Sequence, residues 1–148
     1  MRVTREVAVA APPAALWALL WDVPRMVECV PGCLEAREVE RESRYTARMR
    51  HKVGPISLSI DLDVDVTAAE PPRSIALRAR GRDPLVKTEM TLRVRLECEA
   101  RDAGSLLRID ADGQVLGRLG GLGQGVIQRK AEEAVDEFAS RVASVASR

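Results

Sequence analysis

One histidine, His51, and three cysteines, Cys29, Cys33 and Cys98, are all the imidazole and thiol that this 148-residue chain holds. Any Ser-His-Asp or Cys-His scheme must therefore run through His51. Alternation places His51 with Tyr45, Ala47, Met49 and Val53 on the apolar face of a strand, near its end. A lone inward histidine suits a polar contact inside a cavity better than a catalytic base. Cys29 and Cys33, in "CVPGC", are spaced as zinc ligands often are. Zinc wants four ligands, however, and only Cys98 and His51 remain, on distant strands. The acids of "DLDVDV", Asp61, Asp63 and Asp65, start like a calcium loop, yet Val66 holds the glycine position and Pro72 that of the final acid. They are expected to meet arginines of neighbouring strands, such as Arg48, Arg50, Arg78 and Arg80, in cross-strand pairs. No metal and no covalently bound cofactor is expected.

A glycine-rich stretch before a helix can cradle a phosphate, and "GRLGGLGQG" (117–125) holds five glycines in nine positions. The dinucleotide fingerprint needs G-x-G-x-x-G. Gly121 and Gly123 supply the first pair, but the third glycine falls on Val126. The P-loop lysine is also missing, and no strand follows the helix to make a βαβ unit. The glycines are expected to let the last strand bend into the helix without side-chain clashes.

The surrounding elements follow from periodicity. "VTREVAVA" (3–10) alternates as a strand. Pro12 and Pro13 open a short helix, "AALWALLW", which Asp22 and Pro24 break, and a second short helix runs through "RMVECV". From Leu34 to Leu116 the period is two. Turns are expected at Gly54–Pro55, at "EPPR" and at "GRDP". From about Gly123 the period becomes 3.6: Ile127, Ala131, Ala134, Val135, Phe138, Val142 and Val145 form one stripe, and Lys130 lies among the polar residues off it.

Composition narrows the function classes. Net charge is +1, hydrophobic residues make up 46% and charged residues 30%, so the chain reads as one globular domain over residues 1–148. The positive charge is scattered arginine without a basic block, and aromatics are 3%, which argues against nucleic acid as a partner. The odd number of thiols fits a reducing cytoplasm. The apolar run from Val7 to Trp21 is too short and too broken by proline to span a bilayer.

The order is strand, two short helices, about six strands, long helix. This is an α+β chain with a curved antiparallel sheet of about seven strands. A sheet that wide, roughly 30 Å at about 4.8 Å per strand, must curl around its one long helix. In a chain poor in aromatics, such a grip leaves room for an apolar cavity. Register points Leu58, Ile60, Leu77, Met90, Leu92, Ile109, Ile127, Ala131, Ala134 and Phe138 into it. His51 and Tyr45 would be its polar contacts.

Several local stretches then coincide with a known family: "WALLWD" (17–22), "VPGC" (30–33), "KVGPI" (52–56), "EPP" (70–72), "GRLGGLGQGVI" (117–127) and "DEF" (136–138). In this order they resemble CoxG, the carbon monoxide dehydrogenase G-subunit family of the START-like (SRPBCC) helix-grip superfamily. The resemblance implies a non-enzymatic accessory subunit, monomer or homodimer, with a pocket for an isoprenoid quinone or a lipid. It implies a molybdenum hydroxylase such as CO dehydrogenase as partner. It also implies a cytoplasmic place, free or peripheral at the inner membrane face. Many family members carry a C-terminal extension that reaches the membrane, and this chain stops soon after its long helix. "DPLVKTE" (83–89) stands where family members carry a second glycine-rich stretch. Two alternatives stay open: a polyketide cyclase or dehydratase acting on an aromatic substrate through His51, Tyr45 and Thr88, or an assembly factor that binds an apo-dehydrogenase.

Overall fold

A computed structural model describes residues 1–148. Strand β1 (Arg2–Val9) leads into helices α1 (Pro13–Trp21) and α2 (Val23–Cys29). Six strands follow: β2 (Cys33–Glu40), β3 (Arg44–Val53), β4 (Ile56–Glu70), β5 (Ser74–Asp83), β6 (Thr88–Arg101) and β7 (Gly104–Gly117). A short 3₁₀ turn (Arg118–Leu122) joins β7 to the long helix α3 (Gln124–Ala146). The seven strands form one antiparallel sheet in the order β1-β7-β6-β5-β4-β3-β2. Thus α1 and α2 carry the chain from one sheet edge to the other, and every later strand pairs with its predecessor. This is the antiparallel sheet with one long C-terminal helix expected from the periodicity, in the helix-grip order that the resemblance implies. No helix is long and apolar enough to cross a membrane.

The two short helices meet at Asp22, which ends α1 and whose carboxylate accepts from the Arg25 N–H at 3.3 Å to cap α2. Inside β5, a Cβ on Gly81 would come within 2.6 Å of Leu62 Cδ2 and 2.7 Å of Ile60 Cγ2, so a larger residue there would have to push those side chains aside. Gly81 therefore belongs to β5, and the turn expected at "GRDP" begins two residues later. The buried Asp83 builds that turn, accepting from the Leu85 N–H at 3.0 Å, the Val86 N–H at 3.2 Å and, across to β4, the Ser59 N–H at 2.8 Å. Those three donors, Ser59 foremost, hold its carboxyl below the ordinary value.

The acidic alternation of β4 faces arginine, though not the full set expected. Arg48 reaches Asp61 at 3.8 Å and Arg44 reaches Asp65 at 3.4 Å. Arg78 and Arg80 stand opposite Asp65 and Asp63 in register without closing an ion pair. Arg50 stands opposite Ser59 rather than an acid, and lines a cleft beside α3. All three cysteines are free, with Cys29 and Cys98 buried; burial raises the thiol of each, that of Cys98 to about 11.

Two separate cores result. The larger one joins α1, α2 and the C-terminal half of α3 to β1, β6 and β7 through Leu16, Leu19, Cys29, Leu107, Ala139, Val142 and Val145. The smaller one lies at the opposite end, where Val53, Leu58, Ile60 and Leu119 pack with Val86, Leu122 and Val126 around the turns. Between them the concave face of the sheet and the N-terminal half of α3 stand apart.

Candidate functional site

The gap between the two cores is a cavity of about 440 Å³. That falls within the roughly 300–1,000 Å³ typical of small-molecule sites. Strands β3 to β7 floor it with alternate residues, α3 roofs it, and α2 closes the end nearest the larger core. Of its 41 lining residues 35 are hydrophobic, so water gains little by filling it and an apolar occupant is favoured.

The structure brings all twelve expected residues to this one cavity: Tyr45, His51, Leu58, Ile60, Leu77, Met90, Leu92, Ile109, Ile127, Ala131, Ala134 and Phe138. Their direction follows from the pleat on the sheet and the 3.6 period on the helix. Small residues on the roof, Ala131 and Ala134, leave the space that larger ones would fill.

The polar contacts need correction. Tyr45 lines the cavity, but its hydroxyl donates to Glu38 at 2.9 Å on the exposed edge strand, so its proton is committed outward. Desolvation, and then that acceptor, push the phenol up to about 12. Thr88, the third polar group of a cyclase-like scheme, is not a cavity residue. It is buried under the 3₁₀ turn, where its hydroxyl accepts from the Leu119 N–H at 3.1 Å. Its register puts it on the inner face, but at the closed end inside the smaller core.

His51 sits at the rim, where Nε2 lies 2.8 Å from the place a Cβ on Gly32 would take. Gly32 has φ +75, so glycine serves there both for the backbone turn and for the imidazole above it. Burial, and next the nearby Lys130 ammonium, hold His51 below its ordinary value, against a hydrogen bond to the Pro31 carbonyl and the Glu137 charge.

Periodicity sets Lys130 off the apolar stripe, yet it is half-buried and lines the cavity. The signal was present: Lys130 is three residues after Ile127 and four before Ala134, which puts it at the margin of the same face. Trp21 also lines the cavity, and its Nε1–H is buried without a hydrogen-bond partner.

In the glycine-rich stretch Gly117 has φ +90, and a Cβ there would fall on the Lys87 carbonyl oxygen, while Gly123 has φ +97 at the start of α3. These two explain the bend as expected. Gly121 and Gly125 have open space around them, so steric relief does not account for them.

Solved structures share this arrangement. A conserved protein from Geobacillus kaustophilus superposes with TM-score 0.89 at 16% identity, covering 99% of this chain and 95% of that one. TTHA0849 from Thermus thermophilus gives 0.75 at 14% identity, over 99% and 97% of the two chains. The Zhui aromatase/cyclase from Streptomyces sp. R1128 gives 0.70 at 20% identity, over 100% and 94%. At such identities these likenesses speak for the fold alone. No curated protein matches the sequence. The sequence profile of CoxG, the carbon monoxide dehydrogenase G subunit, does match, over residues 6–147. It spans nearly all of the sheet, both short helices and α3, and on that match this chain belongs to the CoxG family.

Proposed function

We propose that this chain binds a hydrophobic small molecule, quinone-like or lipid-like, between the sheet and α3. It does so as a non-catalytic accessory subunit of a CO dehydrogenase-type molybdenum hydroxylase. The observation that carries the binding reading is the wall of the 440 Å³ cavity, apolar at 35 of 41 positions. An isoprenoid quinone fits that wall by chemistry: flat or branched hydrocarbon against aliphatic side chains, with few polar groups to satisfy. A ligand burying about 300 Å² of apolar surface gains on the order of 7 kcal/mol before ordering costs. The accessory role is supported by the family to which the chain belongs. The non-catalytic reading is supported by the scarcity of inward polar groups: Tyr45 and Thr88 are committed elsewhere, and the other titratable side chains that line the cavity are Cys33, His51 and Lys130.

The test is extraction of natively purified protein with organic solvent, followed by mass spectrometry and titration with an added isoprenoid quinone. Trp21 lines the cavity, so bound quinone is expected to quench its fluorescence. A stoichiometric quinone or lipid, or saturable quenching lost in Ala131→Phe, is the expected result. An empty protein that takes up no quinone would overturn the binding reading and favour an assembly factor. Turnover of an aromatic polyketide abolished by His51→Ala would overturn the non-catalytic one.

A further inference from the structure

Large apolar side chains are exposed at four positions: Leu34 and Val39 on β2, Leu85 at 90% and Leu116 at 60%. The last two lie at one corner of the sheet. Leu85 sits in the turn between β5 and β6, Leu116 is next to last in β7, and the Arg118 N–H donates to the Lys87 carbonyl at 3.0 Å, which ties the two segments together. The 3₁₀ turn carries this corner across to the β3–β4 hairpin, where Leu122 Cδ1 lies 3.8 Å from the place a Cβ on Gly54 would take. Nothing in the fold covers either leucine.

That end is also basic. Its connections, 54–55, 84–87 and 118–123, hold Lys87 and Arg118 and no acid. Asp83, just before the second turn, is buried and spent on three N–H donors. Arg82 faces Glu89 in register, so those two charges offset each other. Lys52 is exposed at the end of β3 and faces Ser57, which adds a third cation. Lys52, Lys87 and Arg118 belong to none of the molecule's ion pairs. The hairpin turns at the opposite end of the sheet, 41–43, 71–73 and 102–103, differ on both counts. They set Arg41 and Arg73 against Glu42 and Asp102, and none of them exposes a large apolar side chain.

We propose that this end of the sheet docks on an anionic lipid surface, with Leu85 and Leu116 in the interfacial layer and Lys52, Lys87 and Arg118 against the headgroups. Leucine is sheltered from water there, and the cations are drawn to a negative surface over about a Debye length. Apolar and electrostatic attraction thus act at one corner, which no other part of the molecule offers. A bilayer suits the corner better than a folded partner does. Leu85 protrudes from a turn, and two leucines make a small patch beside the roughly 800 Å² per partner of a standard protein interface. The contact is independent of what fills the cavity, yet the docked end is the one that closes it, since Val53, Leu58, Ile60 and Leu119 line the cavity from inside the same corner.

Flotation of the full chain with quinone-free vesicles tests this, comparing mixed phosphatidylglycerol and phosphatidylcholine with phosphatidylcholine alone. Binding to the anionic vesicles is expected to be about fivefold stronger or more, and to fall as salt is raised. Leu85→Ser, and separately Lys87→Gln combined with Arg118→Gln, should each lower the bound fraction severalfold with the melting temperature in place. Val39→Ser, an equally bare site on β2, should leave it unchanged. No binding to anionic vesicles at low salt would overturn the proposal. A loss in the charge variant without one in Leu85→Ser would reduce the contact to electrostatic adsorption and overturn it as stated, and so would an equal loss in Val39→Ser. Self-association that needs Leu85, in a chain that ignores vesicles, would make the corner a contact between copies instead. Vesicle binding by a chain that takes up no quinone would sustain the docking surface while removing the cavity reading.

Discussion

The two halves of α3 carry one continuous apolar stripe and meet different fates. In the C-terminal half Ala139, Val142 and Val145 are buried, with Val142 at 0% exposure, against α1, α2 and β7. In the N-terminal half Ile127, Ala131 and Ala134 stay half-buried and line the cavity, as does Phe138 just past the midpoint, which also packs against the larger core. The C-terminal half is part of a structural core; the N-terminal half gives up dispersion contacts that packing would supply. A helix can do both because α1 and α2 fill one end of the grip and nothing fills the middle. Stability and binding are thus separated along a single element.

The strongest test of this division truncates one leucine in each region. Leu16→Ala, at a fully buried site, should cost about 2–5 kcal/mol in urea unfolding. Leu92→Ala, on the cavity floor, should cost less than about 2 kcal/mol, since part of its surface already lacks protein contact. Equal losses would break the comparison. Enlarging one alanine in each half is the converse. Ala139→Phe should destabilise by about 1–3 kcal/mol through overpacking, whereas Ala131→Phe should change stability by less than about 1 kcal/mol. Only Ala131→Phe should lower quinone uptake, by roughly tenfold or more, as followed by Trp21 fluorescence.

The joint leading into the open half can be sharpened with its glycines. Gly117→Ala should cost more than about 1 kcal/mol, because φ is +90 and the Lys87 carbonyl occupies the space. Gly121→Ala, with open space around it, should stay within about 0.5 kcal/mol by thermal unfolding. The smallest effect belongs to His51 at the cavity rim. Its folded pKa lies below its ordinary 6.5, so the unfolded chain takes up a proton before the folded one does. Its contribution is present above about pH 6.5 and is lost as pH falls from there through the lowered folded value. His51→Gln should flatten stability against pH in that window, while Leu16→Ala should leave its slope unchanged.

Much of the site was legible because direction is a local property. The alternation of β3 to β7 and the stripe on α3 place every expected residue on the correct face. What failed were partners and distances. Tyr45 points inward by register, yet its hydroxyl finds Glu38 on the edge strand, a pairing set by how β2 lies on β3. Thr88 has inward parity too, but the 3₁₀ turn closes over it. Gly81 reads as a turn residue and proves to lie inside β5, close against Leu62 and Ile60. Lys130 reads as solvent-facing when its charge is weighed above its position on the helix.

By itself the sequence determined the order of elements, the inner face of each strand and the stripe of α3, since periods of 2 and 3.6 are written into the chain. It also excluded the phosphate loop, whose spacing is a linear matter. Only the tertiary structure decided that the core divides in two with a void between. Only it brought His51 and Lys130 together in the wall of that void. The physical reason is separation: His51 and Lys130 are 79 residues apart, and no local pattern records how closely the sheet curls around the helix. That distance depends on how elements far apart in the chain pack against one another.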